Sequence, residues 1–185
     1  KKIKNKKFRV ISLDYSTVDQ VLSQLKKHNV KILINCIGLT NIEECETDPD
    51  KALNSNTYIP KVLSKACDEG NIKFVHISTD HLYDGKKSYY SEKTPKSPLN
   101  IYGETKSKAE DEVLKNNKKS IIIRTNFFGW GPSYKNSFSD KILKHLEAEK
   151  KIDLFGDVFY TPISIDELKK QILKLIELNA SGIFN

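Results

Sequence analysis

Apolar residues fall along this chain in two alternating rhythms. Short, nearly unbroken apolar runs occupy residues 31–37, 73–78 and 120–124, the pattern of parallel strands covered on both faces. Between and after them the spacing opens to three and four residues. Val18, Val21, Leu22 and Leu25 share one helical face, as do Leu168, Ile172, Leu175 and Ile176. These periods predict strands at 8–13, 31–37, 73–78, 120–124 and from 182, and helices at 17–28, 49–69, 101–116, 137–149 and 165–178. Asp48 and Pro49 supply an N-cap and a first-turn proline, and Gly70 a stop. A loop rich in Gly, Ser, Pro and Lys fills about 80–100.

Strands alternating with helices imply βαβ units, so the fold class is α/β with a doubly wound parallel sheet. In such sheets ligands bind beyond the carboxyl ends of the strands. The residues to inspect are therefore Asp14, Gly38, Leu39, Thr40, Ser78, Thr79, Asp80 and the stretch 124–127.

Composition narrows the reading. With 185 residues, 38% hydrophobic and 30% charged, the chain can bury one good core. No apolar run approaches the roughly 20 residues of a membrane span, and the basic start at 1–7 leads straight into an apolar segment, unlike a signal peptide. The formal charge is +7, but all except two of the 31 basic residues are lysines, whereas base edges and phosphate forks are read mainly by arginine. No nucleic-acid partner is expected, and an anionic small ligand accounts for the balance. Cys36, Cys45 and Cys67 lack ligand spacing, as do the four histidines. Free thiols and no metal site are expected, in the cytoplasm.

One spacing carries chemistry. Tyr102-Gly-Glu-Thr-Lys106 opens a helix, and a separation of four puts the phenol and the amine on one face. A nearby cation favours the phenolate, which makes tyrosine a workable general acid or base. Among so many lysines this pair alone is weak evidence. His76-Ile-Ser-Thr-Asp80 adds hydroxyls at the carboxyl end of a buried strand. Taken alone, Ser78 and Thr79 read sooner as a strand-end turn or a helix cap.

The combined pattern resembles the dTDP-4-dehydrorhamnose reductase family of extended short-chain dehydrogenase/reductases. The resemblance rests on Ile77-Ser-Thr-Asp-His-Leu-Tyr-Asp-Gly85, Glu92, Pro95, Pro98-Leu-Asn-Ile-Tyr-Gly103, Lys106 and Glu110. It extends to Asn35-Cys-Ile-Gly-Leu-Thr-Asn-Ile-Glu-Glu-Cys-Glu46 and Ala52-Leu-Asn-Ser-Asn56. It implies catalytic roles for Thr79, Tyr102 and Lys106, with Tyr102 as proton donor and Lys106 also holding the nicotinamide ribose. It implies that Asp14 and Tyr15 approach the adenine half of NADPH or NADH, that Gly38, Leu39 and Thr40 line its middle, and that Thr79, Asp80 and Phe127 meet a nucleotide-sugar substrate. The family usually has tryptophan where Phe127 stands. On the residues alone, Phe127 serves equally as core and Asp14 as a helix cap.

The reaction implied is NAD(P)H-dependent reduction of a 4-keto sugar nucleotide in deoxysugar biosynthesis, by a protein acting alone or as a homodimer. Three alternatives stay open: a sugar-nucleotide epimerase or dehydratase, a regulatory subunit like the β subunit of methionine adenosyltransferase, and a scaffold. A dinucleotide fingerprint is lacking, because Pro132 and Tyr134 interrupt the Gly129-Trp-Gly131 stretch. The resemblance places residues 1–128 in a partial dinucleotide-binding domain without its first βα unit. It places 129–185 in a partial substrate lobe interleaved with the last elements of the first domain. With no methionine in the chain, a partial record of a longer protein is expected. The choice between NADH and NADPH stays open, although lysines at 1–7 would suit a 2′-phosphate.

Overall fold

The computed structural model of the chain describes residues 10–130, 137–154, 156, 158 and 161–185. Four apolar runs meet edge to edge: β1 (Ile32–Asn35), β2 (Lys73–Ile77), β3 (Ile121–Ile123) and β6 (Gly182–Phe184). They form one sheet in the order β1-β2-β3-β6, with every neighbouring pair parallel. Side chains alternate across it. Phe74 and Ile122 face α1 (Val18–Lys27), α4 (Ile59–Glu69) and α5 (Ile101–Asn116), meeting Val21, Leu63 and Val113. Val75, Ile121 and Ile123 face α7 (Ile165–Glu177), meeting Leu168 and Ile172. This is the doubly wound α/β fold the alternation predicts.

Helix starts follow their caps. Thr17, Asn100 and Ser164 each accept a backbone N–H from the first turn of the helix they precede, satisfying an otherwise orphaned donor. Ser137 and Asp140 form a reciprocal capping box at α6 (Phe138–Glu147). Asn29, Asn71 and Asn179 take left-handed backbone just past α1, α4 and α7, a conformation asparagine tolerates better than most residues.

Three expectations need correction. The predicted strand at 8–13 is not a strand over its described part, 10–13, where Val10 and Ile11 are exposed. The run 31–37 yields only β1. As the edge strand among the described residues it leaves Ile32 and Ile34 each 43% exposed, so an unbroken apolar run here does not mean cover on both faces. The helix from 49 is interrupted: α3 (Pro49–Leu53) passes through a π-helical turn, Asn54–Tyr58, before α4 resumes. Pro60 sits just beyond that turn and has no N–H to give, so the ladder cannot run on in one α register. Two elements were not foreseen. One is α2 (Ile42–Thr47), capped by Asn41. The other is a small parallel pair of β4 (Phe127–Phe128) and β5 (Ile163–Ser164). Residues 1–7, Gly131, Pro132 and Tyr134 lie outside the described residues. No helix among the described residues is long and apolar enough to cross a membrane.

Candidate active site

The carboxyl ends of β1, β2 and β3 open into a cleft of about 570 Å³, roofed by α7 and floored by the start of α5. Gly38, Thr40, Thr79, Asp80, Tyr102, Lys106 and Phe127 all line it. Leu39 does not, but its N–H and C=O are both held by the Asn56 side chain, at 2.8 and 3.1 Å. Asn56 sits in the π-helical turn and also donates to Thr105 at 3.1 Å, so that turn ties the loop after β1 to α5. Asp14 and Tyr15 stand apart. Asp14 lies in a separate hollow with Asp19, Gln20, Ser23 and Gln24, and its carboxylate accepts the Ser16 N–H and hydroxyl at 2.9 and 2.6 Å. The cap of α1 is Thr17, not Asp14. Phe127 is half exposed, so it is not a core residue.

Two hydroxyls end β2, and the structure separates them. Ser78 donates to Glu110 at 2.6 Å. Thr79 accepts the His81 N–H at 3.2 Å and lies beside the Tyr102 hydroxyl, which it biases toward the phenolate. Burial outweighs that bias and pushes the Tyr102 phenol above its ordinary value, and the Asp80 carboxylate adds to the rise. The spacing argument expected Lys106 to lower this value. Instead the Lys106 amine turns inward, donating to the Ile77 carbonyl at 2.6 Å and lying 3.4 Å from His76 Nε2. A phenol raised in this way keeps its proton through the neutral range, the state a general acid needs.

Packing fixes where Tyr102 sits. A Cβ on Gly103 would come within 2.5 Å of the His81 carbonyl oxygen, so glycine lets the first turn of α5 press against the loop that follows β2. His81 meets the Tyr102 ring edge to face, with centroids 5.5 Å apart. Lys106 follows one helical turn later and is almost wholly buried. Burial lowers its pKa to about 8, against the opposing pull of Glu110 and Cys36.

One more turn along α5 stands Glu110, only 1% exposed. Arg124, at the end of β3, binds it through Nε and Nη2 at 3.0 to 3.2 and 2.7 Å, and gives Nη1 to the Tyr83 hydroxyl at 2.6 Å. Asp80, in turn, accepts from Asn126 at 3.2 Å. Sequence reasoning assigned no role to Asn35, Asn56, His76, Arg124 or Asn126. The available signal was a polar residue set inside or just after an apolar strand, as His76 is within Phe-Val-His-Ile.

Such a sheet, with a Tyr-x-x-x-Lys helix start brought against a hydroxyl at the end of its neighbouring strand, places the chain among the extended short-chain dehydrogenase/reductases. Residues 2–184 match the family described as RmlD substrate binding domain, and the chain belongs to that family. It is 29% identical over 178 residues to a protein named probable low-salt glycan biosynthesis reductase Agl14 from Haloferax volcanii, covering 94% of this chain and 59% of that protein. It is 30% identical over 175 residues to a dTDP-4-keto-6-deoxy-D-glucose reductase from Streptomyces niveus, covering 94% and 60%. The crystal structure of a dTDP-4-dehydrorhamnose reductase from Bacillus anthracis, in complex with NADP, superposes with a TM-score of 0.85 at 26% identity, covering 93% of this chain and 61% of that one. The chain thus spans about 60% of the length of the relatives it matches.

Proposed function

We propose that the protein carrying this chain reduces the 4-keto group of a deoxysugar linked to a nucleoside diphosphate, using NADPH or NADH. The observation that carries the reading is that Thr79 and Tyr102 line one cleft, near enough for the hydroxyl to act on the phenol, with Lys106 one helical turn behind. The names of the relatives, and the NADP held by one of them, support the substrate and cofactor classes.

The residues present suit such a cofactor. The loop at 38–40 runs along one wall, and a Cβ on Gly38 would close to 3.1 Å of Asn56 Oδ1, the atom that holds the Leu39 N–H, so glycine suits this position. Gly38, Leu39 and Thr40 would line the middle of the dinucleotide, Asp14 and Tyr15 its adenine end, and Tyr102 and Lys106 its nicotinamide ribose. When bound, the nicotinamide supplies the hydride. Thr79 holds the carbonyl oxygen by a hydrogen bond. Tyr102, kept protonated by its buried setting, gives its proton to that oxygen as it becomes an alcohol. General acid help of this kind is worth roughly 10² to 10⁴ in rate. Lys106 fixes the ribose. Asp80, steadied by Asn126, and the half-exposed Phe127 meet the sugar nucleotide.

We assign residues 1–128 to dinucleotide binding and 129–185 to a substrate lobe interleaved with the last sheet elements. In support, β6 closes the main sheet while β4 and β5 start a second one. Three free thiols suit a cytoplasmic setting. The test is NADPH and NADH oxidation by the complete protein with dTDP-4-keto-6-deoxyglucose. Turnover dependent on both partners is expected. Cofactor binding without turnover would replace this reading with a regulatory subunit.

A further inference from the structure

Behind Lys106 lies a polar chain that the reduction as described does not use. His76 is fully buried in β2, and Asn35 is nearly so at the end of β1. The two strands pair in parallel with Asn35 directly opposite His76, and the Asn35 amide nitrogen is 3.0 Å from His76 Nδ1. On the other side of the ring, Nε2 is 3.4 Å from the Lys106 amine. Phe74, two residues back on the same strand face, stacks with the imidazole at 13° between planes and leaves the ring little freedom to turn.

The orientation of Asn35 decides where the imidazole proton sits. The Ile37 N–H can only donate, and it points at Asn35 Oδ1 from 3.0 Å. The amide is therefore fixed with its NH₂ toward His76, so Nδ1 must accept. A neutral imidazole that accepts at Nδ1 carries its proton at Nε2. Burial, with Lys106 nearby, holds His76 well below its ordinary pKa, so the neutral form persists. An N–H is thus aimed at a lysine nitrogen that gives one of its hydrogens to the Ile77 carbonyl. Toward an ammonium such an N–H is repulsive, and toward an amine it is a hydrogen bond.

We propose that Asn35 and His76 form a tautomer lock behind Lys106: Asn35 fixes the imidazole proton on Nε2, and that N–H biases Lys106 toward its neutral, proton-accepting form. His76 and Asn35 are positioning residues, acting through Lys106 rather than on substrate. Their relevance to turnover rests on the reductase reading, but the lock itself does not. The other titratable groups facing Lys106 are Glu110 on its own helix and Cys36 after β1. Both favour the ammonium, and Glu110 is already engaged by Arg124 and Ser78.

The experiment is nitrogen-15 NMR on the complete protein, reading the His76 tautomer and the Lys106 titration without any sugar nucleotide. Wild-type protein should carry the His76 proton on Nε2. His76→Phe keeps the ring but removes the N–H, and should move the Lys106 midpoint upward by on the order of one pH unit. Asn35→Asp offers two acceptors, one to Ile37 N–H and one to Nδ1–H, and should switch the tautomer to Nδ1. A proton on Nδ1 in the wild type, or a Lys106 midpoint that is unmoved or lowered in His76→Phe, overturns the lock. The wild-type spectrum decides the matter even if both variants misfold. Absence of turnover would defeat the reductase reading while leaving these readouts intact.

Discussion

Tyr102, Lys106 and Glu110 stand one turn apart along the same face of α5, yet the two ends of that stripe are built on opposite terms. At the deep end every demand is met. Both Glu110 oxygens are taken by Arg124, and one also by Ser78, while Arg124 reaches on to Tyr83. At the cleft end the groups are displaced from their ordinary protonation. The phenol is pushed up by burial, and the lysine is pushed down with an imidazole at its back. A buried ion pair adds little net stability over an apolar filling of the same shape, but breaking it is expensive. Its value here is rigidity. It joins the ends of β2 and β3 to α5 and so holds half-satisfied groups where they can react.

If that contrast is right, damage at the two ends should differ in kind. The largest effect expected is on rate: Tyr102→Phe should cost roughly 10² to 10⁴ in turnover, with cofactor affinity and melting temperature nearly unchanged. Arg124→Leu should do the reverse, leaving buried Glu110 with only the Ser78 hydroxyl and the Lys96 amine at 3.8 Å, at a cost of up to about 3 to 5 kcal/mol, read by denaturant unfolding. Gly103→Ala tests how the two ends are joined. Its methyl meets the His81 carbonyl, and an overpacked contact of that kind costs roughly 1 to 3 kcal/mol. Because the first turn of α5 must shift, turnover should fall more than the loss of stability alone explains.

A further effect is on pH dependence. The folded pKa of Lys106, about 8, lies below the ordinary 10.5, so the unfolded chain holds the proton more tightly. The cost of burying the ammonium is therefore complete below pH 8, fades between the two values and is gone above the higher one. Stability against denaturant should rise across that window in the wild type, and Lys106→Met should flatten the rise.

Much of this arrangement could be read from the sequence. Parallel strands buried between helices announce themselves as short apolar runs, and Asp48 with Pro49 marks a helix start that the structure keeps. Tyr102 and Lys106 could be placed together because helical spacing is a local property. What could not be read depends on contacts between distant segments. Nothing near Lys106 in sequence says that its amine turns to Ile77 and His76 rather than toward Tyr102. Ser78 and Thr79 look alike until Glu110, 32 residues on, takes one of them. The π-helical turn needed Pro60 to be weighed against the helix around it. The run at 31–37 looked like an interior strand because composition reports apolarity, not which neighbours are present.

The most direct test is a crystal structure of the complete protein with its cofactor and the reduced sugar nucleotide. The account predicts the sugar 4-hydroxyl within about 3 Å of both the Tyr102 and the Thr79 oxygens. A sugar seated in the cleft with that hydroxyl turned to other groups, and neither oxygen in reach, would contradict it.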